Sequence, residues 1–189
     1  RSADYLVLES TYGDRLHKED NPFDQIGAIV RKTAARGGTV VIPAFAVGRT
    51  QTVLYYLHEL KKAGDIPNIP VYLDSPMAIN VTELLQRRGA EHRLTKKLCA
   101  EVCHVAAYSR TVEESKALDH SNGLPAVIIS ASGMATGGRV LHHLKHFIGN
   151  TKNTILFTGY QAAGTRGARL VHGIPLSRTA NPKRLRPSP

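Results

Sequence analysis

The chain has 189 residues, 42% of them hydrophobic and 21% charged, and its 16 Gly and 10 Pro make up about 14% of it. That excludes collagen and low-complexity chains, which carry roughly 25–30% Pro and Gly, and also a disulfide-stapled miniprotein, because Cys99 and Cys103 allow one bridge at most. The formal charge of +10 favours a polyanionic partner through counterion release, although a solvated basic surface would carry the same charge.

No apolar run approaches the roughly 18 residues that a membrane-spanning helix needs, and Asp4 and Glu9 bracket Tyr5–Leu8 too closely for a signal peptide. The expectation is a soluble, cytoplasmic chain with no membrane partner. It opens on Arg1 rather than Met and enters a strand-like run at once, as a piece of a longer polypeptide would.

In chain order, Tyr5-Leu6-Val7-Leu8-Glu9 reads as a buried strand. Asn21-Pro22 caps a helix over 22–36, with Phe23, Ile26, Ile29 and Val30 at helical spacing and Gly37-Gly38 ending it. Thr39–Pro43 is a continuous β-branched strand, and Gly48–Lys62 is a helix with Val53, Leu54, Leu57 and Leu60 on its apolar stripe. Pro70–Asp74 is the next strand, and Ser75-Pro76 caps a helix to about Gln86. A helix over Arg88–Lys97 and a short strand over Val102–Ala107 follow. Thr111-x-x-Glu114 is a capping box, Ala126–Ile129 a strand, Gly138–Ile148 a helix, Asn153–Thr158 a strand and Gly167–Val171 a short helix. Repeated strand–helix units predict an α/β fold, a mostly parallel sheet flanked by helices.

Ligands of such sheets bind beyond the C-terminal strand ends, and the loops there are Gly-rich and lead into helices, where free N–H groups suit phosphate. Arg49 and Arg139 follow two of these turns, placed for bidentate contact with phosphate or for pairing with a local carboxylate. Glu9, at a strand tip, is either a charge meeting solvent or a group that orients a catalytic partner. Dinucleotide and Walker fingerprints are absent, and Ser10, Ser75 and Ser132 fit caps and turns better than nucleophiles. His142 and His146 have the i,i+4 spacing of metal ligands but lack the zincin Glu and a third ligand, so they read as surface or packing residues. Cys99-x-x-x-Cys103 reads as two idle thiols.

Five ordered motifs carry a resemblance: Glu9-Ser10-Thr11-Tyr12-Gly13-Asp14; Ile42–Gln51; Leu73–Ala78; Ser132-Gly133-Met134 with Gly137-Gly138-Arg139; and Gly159-Tyr160-Gln161 with Gly164-Thr165. Over about residues 4–173 the chain resembles the β-CASP branch of the metallo-β-lactamase superfamily, most closely the bacterial and archaeal RNA-processing nucleases related to the cleavage-and-polyadenylation endonuclease. The resemblance implies a Rossmann-like β-CASP domain over 14–173. Residues 1–13 would end the metallo-β-lactamase portion and supply an N-terminal strand from it, and 174–189 would be a disordered basic tail carrying Arg178, Lys183, Arg184 and Arg186.

It further implies a zinc-dependent ribonuclease whose intact form holds two zinc ions and whose β-CASP portion clamps RNA. Glu9 becomes the acidic motif that orients a catalytic histidine, and Arg49, Ser132, Gly133 and Arg139 become RNA contacts. The His-x-His-x-Asp-His zinc motif and the later zinc ligands are missing here, so no zinc is expected on this chain and no activity from it alone. Expected partners are RNA, the metallo-β-lactamase domain of the same parent chain and, as a further candidate, a second copy. The rival readings are a noncatalytic RNA- or protein-binding module and a β-CASP nuclease acting on DNA.

Overall fold

A computed structural model of the chain describes residues 3–14, 16, 21–120 and 124–173. Helix α1 (Pro22–Ala35) starts where its signals predict: the Asn21 side chain accepts the Phe23 N–H at 3.1 Å, with Pro22 in the first turn. It leads into β1 (Thr39–Pro43), buried along its whole length, then α2 (Arg49–Lys62) and β2 (Val71–Asp74). Ser75 caps α3 (Pro76–Arg87) by accepting from the Ala78 N–H at 3.3 Å. The rest comprises α4 (Lys96–Cys103), β3 (Ala107–Tyr108), α5 (Val112–Asp119) with the full Thr111/Glu114 capping box, β4 (Ala126–Ser130), α6 (Val140–Phe147), β5 (Thr154–Ile155) and α7 (Arg166–Val171). Among the described residues no helix is long and apolar enough to cross a membrane.

The five strands pair in the order β3-β2-β4-β1-β5, every pair parallel. Alternate strand residues face alternate layers. Val40, Ile42, Leu73, Val127 and Ile129 meet the apolar stripes of α1, α2 and α3, including Val30, Leu54, Leu57 and Ile79. Val41 and Ile128 face the other way, onto Leu118 of α5 and Val140, Leu144 and Phe147 of α6. This is the Rossmann-like α/β layering that the alternating pattern predicts.

The structure corrects several local expectations, among them the strand expected over Asn153–Thr158, which is only Thr154–Ile155. Residues 5–8 form no strand, and Tyr5 and Val7 are 93% and 96% exposed, because no strand lies alongside to take up their backbone groups and apolar faces. The helix expected over Arg88–Lys97 is only a 3₁₀ turn at Gly89–Glu91, and the helix comes later, at Lys96–Cys103. Polar residues 88–95 offer no apolar stripe, whereas Cys99, Val102 and Cys103 share one buried face behind the Thr95 cap, so the strand expected at 102–107 shrinks to Ala107–Tyr108. The tail expected at 174–189 lies outside the described residues.

Strand β5 pairs over only Thr154–Ile155 and is held from outside the ladder. Arg36, just past α1, donates to the Asn153 carbonyl at 3.0 Å and to Thr154 Oγ1 at 2.6 Å, and the Thr39 N–H donates to Asn153 Oδ1 at 2.9 Å. The chain at 152–153 comes so close to Gly38 that a Cβ there would overlap the Lys152 carbonyl oxygen. Gly38→Ala should therefore lower the unfolding free energy by about 2 kcal/mol or more, read as a shift of the urea midpoint, because a backbone atom cannot rotate away.

Candidate nucleic-acid interface

Neighbouring strands β1 and β4 send the chain in opposite directions. β1 passes through α2 to β2 on one side, and β4 through α6 to β5 on the other. The crevice beyond their C-terminal ends is thus a topological switch point, where open α/β sheets bind ligands.

The β1–α2 loop is folded by its own motif. The Thr50 hydroxyl and amide both donate to the Phe45 carbonyl, at 2.8 and 3.2 Å, and Gln51 Nε2 donates to the Ala46 carbonyl at 3.1 Å. Gly48, at φ +76°, caps α2 in a left-handed conformation that favours glycine. Pinned in this way, the loop turns Phe45, Val47 and Arg49 toward solvent. On the facing β4–α6 loop the Ser132 hydroxyl accepts from the Thr136 N–H at 3.1 Å. Gly133 packs so tightly that a Cβ would lie 2.7 Å from the Phe45 ring. Gln161 ties the β4–α6 loop to the segment after β5, its amide within 3.0–3.2 Å of the carbonyls of Gly133, Gly159 and Tyr160.

Between these walls lies a cleft of about 680 Å³, lined among others by Glu9, Gly48, Arg49, Met134, Gly159 and Tyr160. Arg49 runs beside Gly159, whose Cβ would sit 3.7 Å from the guanidinium Nε. Among the described residues its guanidinium has no hydrogen-bond or ion-pair partner. Elsewhere in the lining, the Thr11 hydroxyl and amide donate to Glu9, the amide at 2.8 Å, and hold its carboxyl below the usual carboxylate range.

Behind the cleft is a buried ion cluster. Asp74, at the end of β2, has no exposure. Its Oδ1 accepts from Arg139 Nη1 at 2.7 Å, and its Oδ2 accepts from the Ser115 hydroxyl at 2.5 Å and lies 2.7 Å from His143 Nε2. His143 Nδ1 reaches Asp119 Oδ1 at 2.7 Å, and Arg139 also donates to the carbonyls of Ser109 and Arg110. Burial opposes the charge on His143, but the hydrogen bonds and negative charge of Asp74 and Asp119 outweigh it and raise its pKa above the ordinary value. Burial likewise opposes ionisation of Asp74, and bonds from His143, Ser115 and Arg139 outweigh it, lowering its pKa. The two shifts describe one ion pair.

Residues 50–170 match the family model of the Beta-Casp domain. The chain belongs to that family. It is 39% identical to Ribonuclease TTHA0252 of Thermus thermophilus, with 93% of the chain aligned to 42% of that protein. To Transcription termination factor FttA of Lokiarchaeum it is 33% identical, over 89% of the chain and 28% of the relative, and to Probable RNase MJ4 of Methanocaldococcus jannaschii 31%, over 89% and 38%. This β-CASP chain is thus related to archaeal and bacterial ribonucleases of the metallo-β-lactamase superfamily, and it spans less than half the length of these relatives.

Of the residues singled out from sequence, the β-CASP fold brings Glu9 and Arg49 into the cleft and places Gly133 behind its Phe45 wall. The Ser132 hydroxyl is turned onto its own loop. Arg139, expected as an RNA contact, is held inside the fold instead, because the buried Asp74 carboxylate demands a cation. His142 and His146 are exposed, with His146 packed edge-on to Phe147 and His120, and among the described residues no group of three or more His, Cys, Asp or Glu could hold a metal. Both cysteines are buried free thiols, and burial with the neighbouring Cys99 pushes Cys103 up to about 12.

Sequence reasoning missed His143, Asp74 and Gln161. The signal for His143 was its phase: it shares the stripe of Val140, Leu144 and Phe147, where a polar side chain needs a buried partner.

Asp74→Ala would strand Arg139 and His143 and should cost about 3–5 kcal/mol in chemical denaturation. A raised imidazole pKa contributes stability that is complete below the unfolded value of about 6.5 and is lost as pH rises through the folded value. The depressed Asp74 contributes stability present above about 3.9 and lost as pH falls through its folded value. Thermal midpoints across pH 3–9 should therefore decline at both ends, and His143→Gln should flatten the alkaline decline.

Proposed function

We propose that this chain clamps single-stranded RNA for a phosphodiester-cleaving ribonuclease. The observation that carries this reading is Arg49, a guanidinium unpaired among the described residues and set along a switch-point cleft in a basic chain. A guanidinium fork matches two phosphate oxygens, and the cleft is open enough to admit a strand. The names of the related ribonucleases favour RNA as the polyanion.

Hydrolysis needs ligands that the described residues do not assemble for a metal, and no step of it is routed through this chain. We assign the zinc chemistry to the additional length that the relatives carry. On the same reading, the exposed apolar run Tyr5–Leu8 joins the sheet of a metallo-β-lactamase domain in the longer polypeptide, since a bare segment with four apolar side chains calls for a neighbour. Glu9, at its end, then faces the junction, where its ionised carboxylate can orient a catalytic histidine.

The test is fluorescence anisotropy with a labelled single-stranded RNA. Binding should weaken steeply between 50 and 200 mM salt, with a log–log slope of about −0.7 per phosphate neutralised. Arg49→Ala should cost about ten-fold in affinity, the scale of one charge-assisted contact. No binding at low salt, or an unchanged affinity in Arg49→Ala, refutes the clamp, and tighter binding of a matched DNA strand moves the reading to DNA.

A further inference from the structure

The Arg49 cleft is walled by more than a phosphate site requires. Tyr12, Phe45 and Tyr160 all line it, with the Met134 thioether beside them, in a chain that is only 6% aromatic. Most of the other rings are used for packing: Phe23, Tyr55, Tyr56 and Tyr108 lie against one core layer, and Tyr72 and Phe157 against the other, with Phe147 inside it. In the cleft, by contrast, Phe45 stays 43% exposed and Tyr160 37% exposed.

These rings are held in place. Tyr12 and Tyr160 meet edge to face at 6.3 Å and 75°, and the Tyr12 hydroxyl accepts the Tyr160 N–H at 3.1 Å. The main chain at Phe45 is held by the two Thr50 bonds to its carbonyl, and its ring packs closely against Gly133. Rigid rings at a loop tip lose little entropy when a flat group settles on them, and every nucleobase has an apolar face to offer.

Charge orders the site further. Glu9 stays ionised in the same lining as Arg49, so a phosphate is repelled by the one and drawn to the other. The volume of about 680 Å³ falls within the range of roughly 300–1,000 Å³ of pockets that enclose small-molecule-sized groups.

We propose that this cleft is a stacking subsite for one unpaired nucleobase, seated on the Phe45 and Tyr160 rings while Arg49 holds the adjoining phosphate. The proposal rests on the RNA-clamp reading and adds that the chain grips a base as well as a backbone. Paired bases, stacked within a duplex, are excluded.

The experiment compares two fluorescein-labelled decamers on the 189-residue chain at low salt: oligoadenylate, and the same ribose–phosphate chain without bases. Circular dichroism checks that each variant folds. Oligoadenylate should bind about ten-fold tighter than the abasic strand, the scale of one base–aromatic stack. Phe45→Leu and Tyr160→Leu keep apolar bulk but remove the ring faces, so each should shrink that ratio. Arg49→Ala should weaken both strands alike. Equal affinity for the two strands, or a ratio that survives in both ring variants, overturns the base subsite and leaves the RNA clamp standing. Failure of both strands to bind overturns the clamp, and the subsite with it.

Discussion

A carboxylate cut off from water has to be neutralised where it stands, and at Asp74 that requirement organises one end of the molecule. Arg139 is drawn in from the β4–α6 loop, His143 from α6 and Ser115 from α5, while His143 carries the link on to Asp119. Arg139 in turn takes up the Ser109 and Arg110 carbonyls after β3. A single buried charge thereby fixes the relative positions of β2, α5, α6 and two loops. Removing one partner leaves the others charged and dry, which is why such clusters resist piecemeal change.

On the cleft side the constraint is different. The loops there are held by hydrogen bonds from Thr50, Gln51 and Gln161 to main-chain carbonyls and by glycine contacts too close for a Cβ. Side chains that could bind are thereby left facing outward at little entropic cost. Rigid loops with exposed Phe45, Tyr160 and Arg49 make physical sense as a preorganised surface, since the ordering has already occurred in folding. The same chain leaves Tyr5–Leu8 bare among the described residues, so the Arg49 cleft and an exposed apolar segment meet at Glu9.

Much of this fold was legible in the chain. The caps at Asn21, Ser75 and Thr111 and the continuous β-branched runs at 39–43 and 126–129 mark their elements through local chemistry, and the structure places them there. The segments misread are those where local chemistry is silent. Residues 88–95 carry no periodicity, and α4 exists because Cys99 and Val102 find a buried face. Tyr5–Leu8 has every local mark of a strand, but a strand is a relation between chains, and the neighbour it needs is not among the described residues.

The site divides along the same line. Sequence by itself determined the parallel α/β class, the family, the Gly-rich loops at the strand ends and the presence of Arg49 and Glu9 beside them, because turns, caps and motifs are written over short spans. Only tertiary structure decided that Arg139 would serve Asp74, 65 residues away, rather than a ligand, and that Tyr12 would reach Tyr160 across 148 residues to wall the cleft. Those outcomes depend on which groups lose water together, a property of the packed whole that no local pattern encodes.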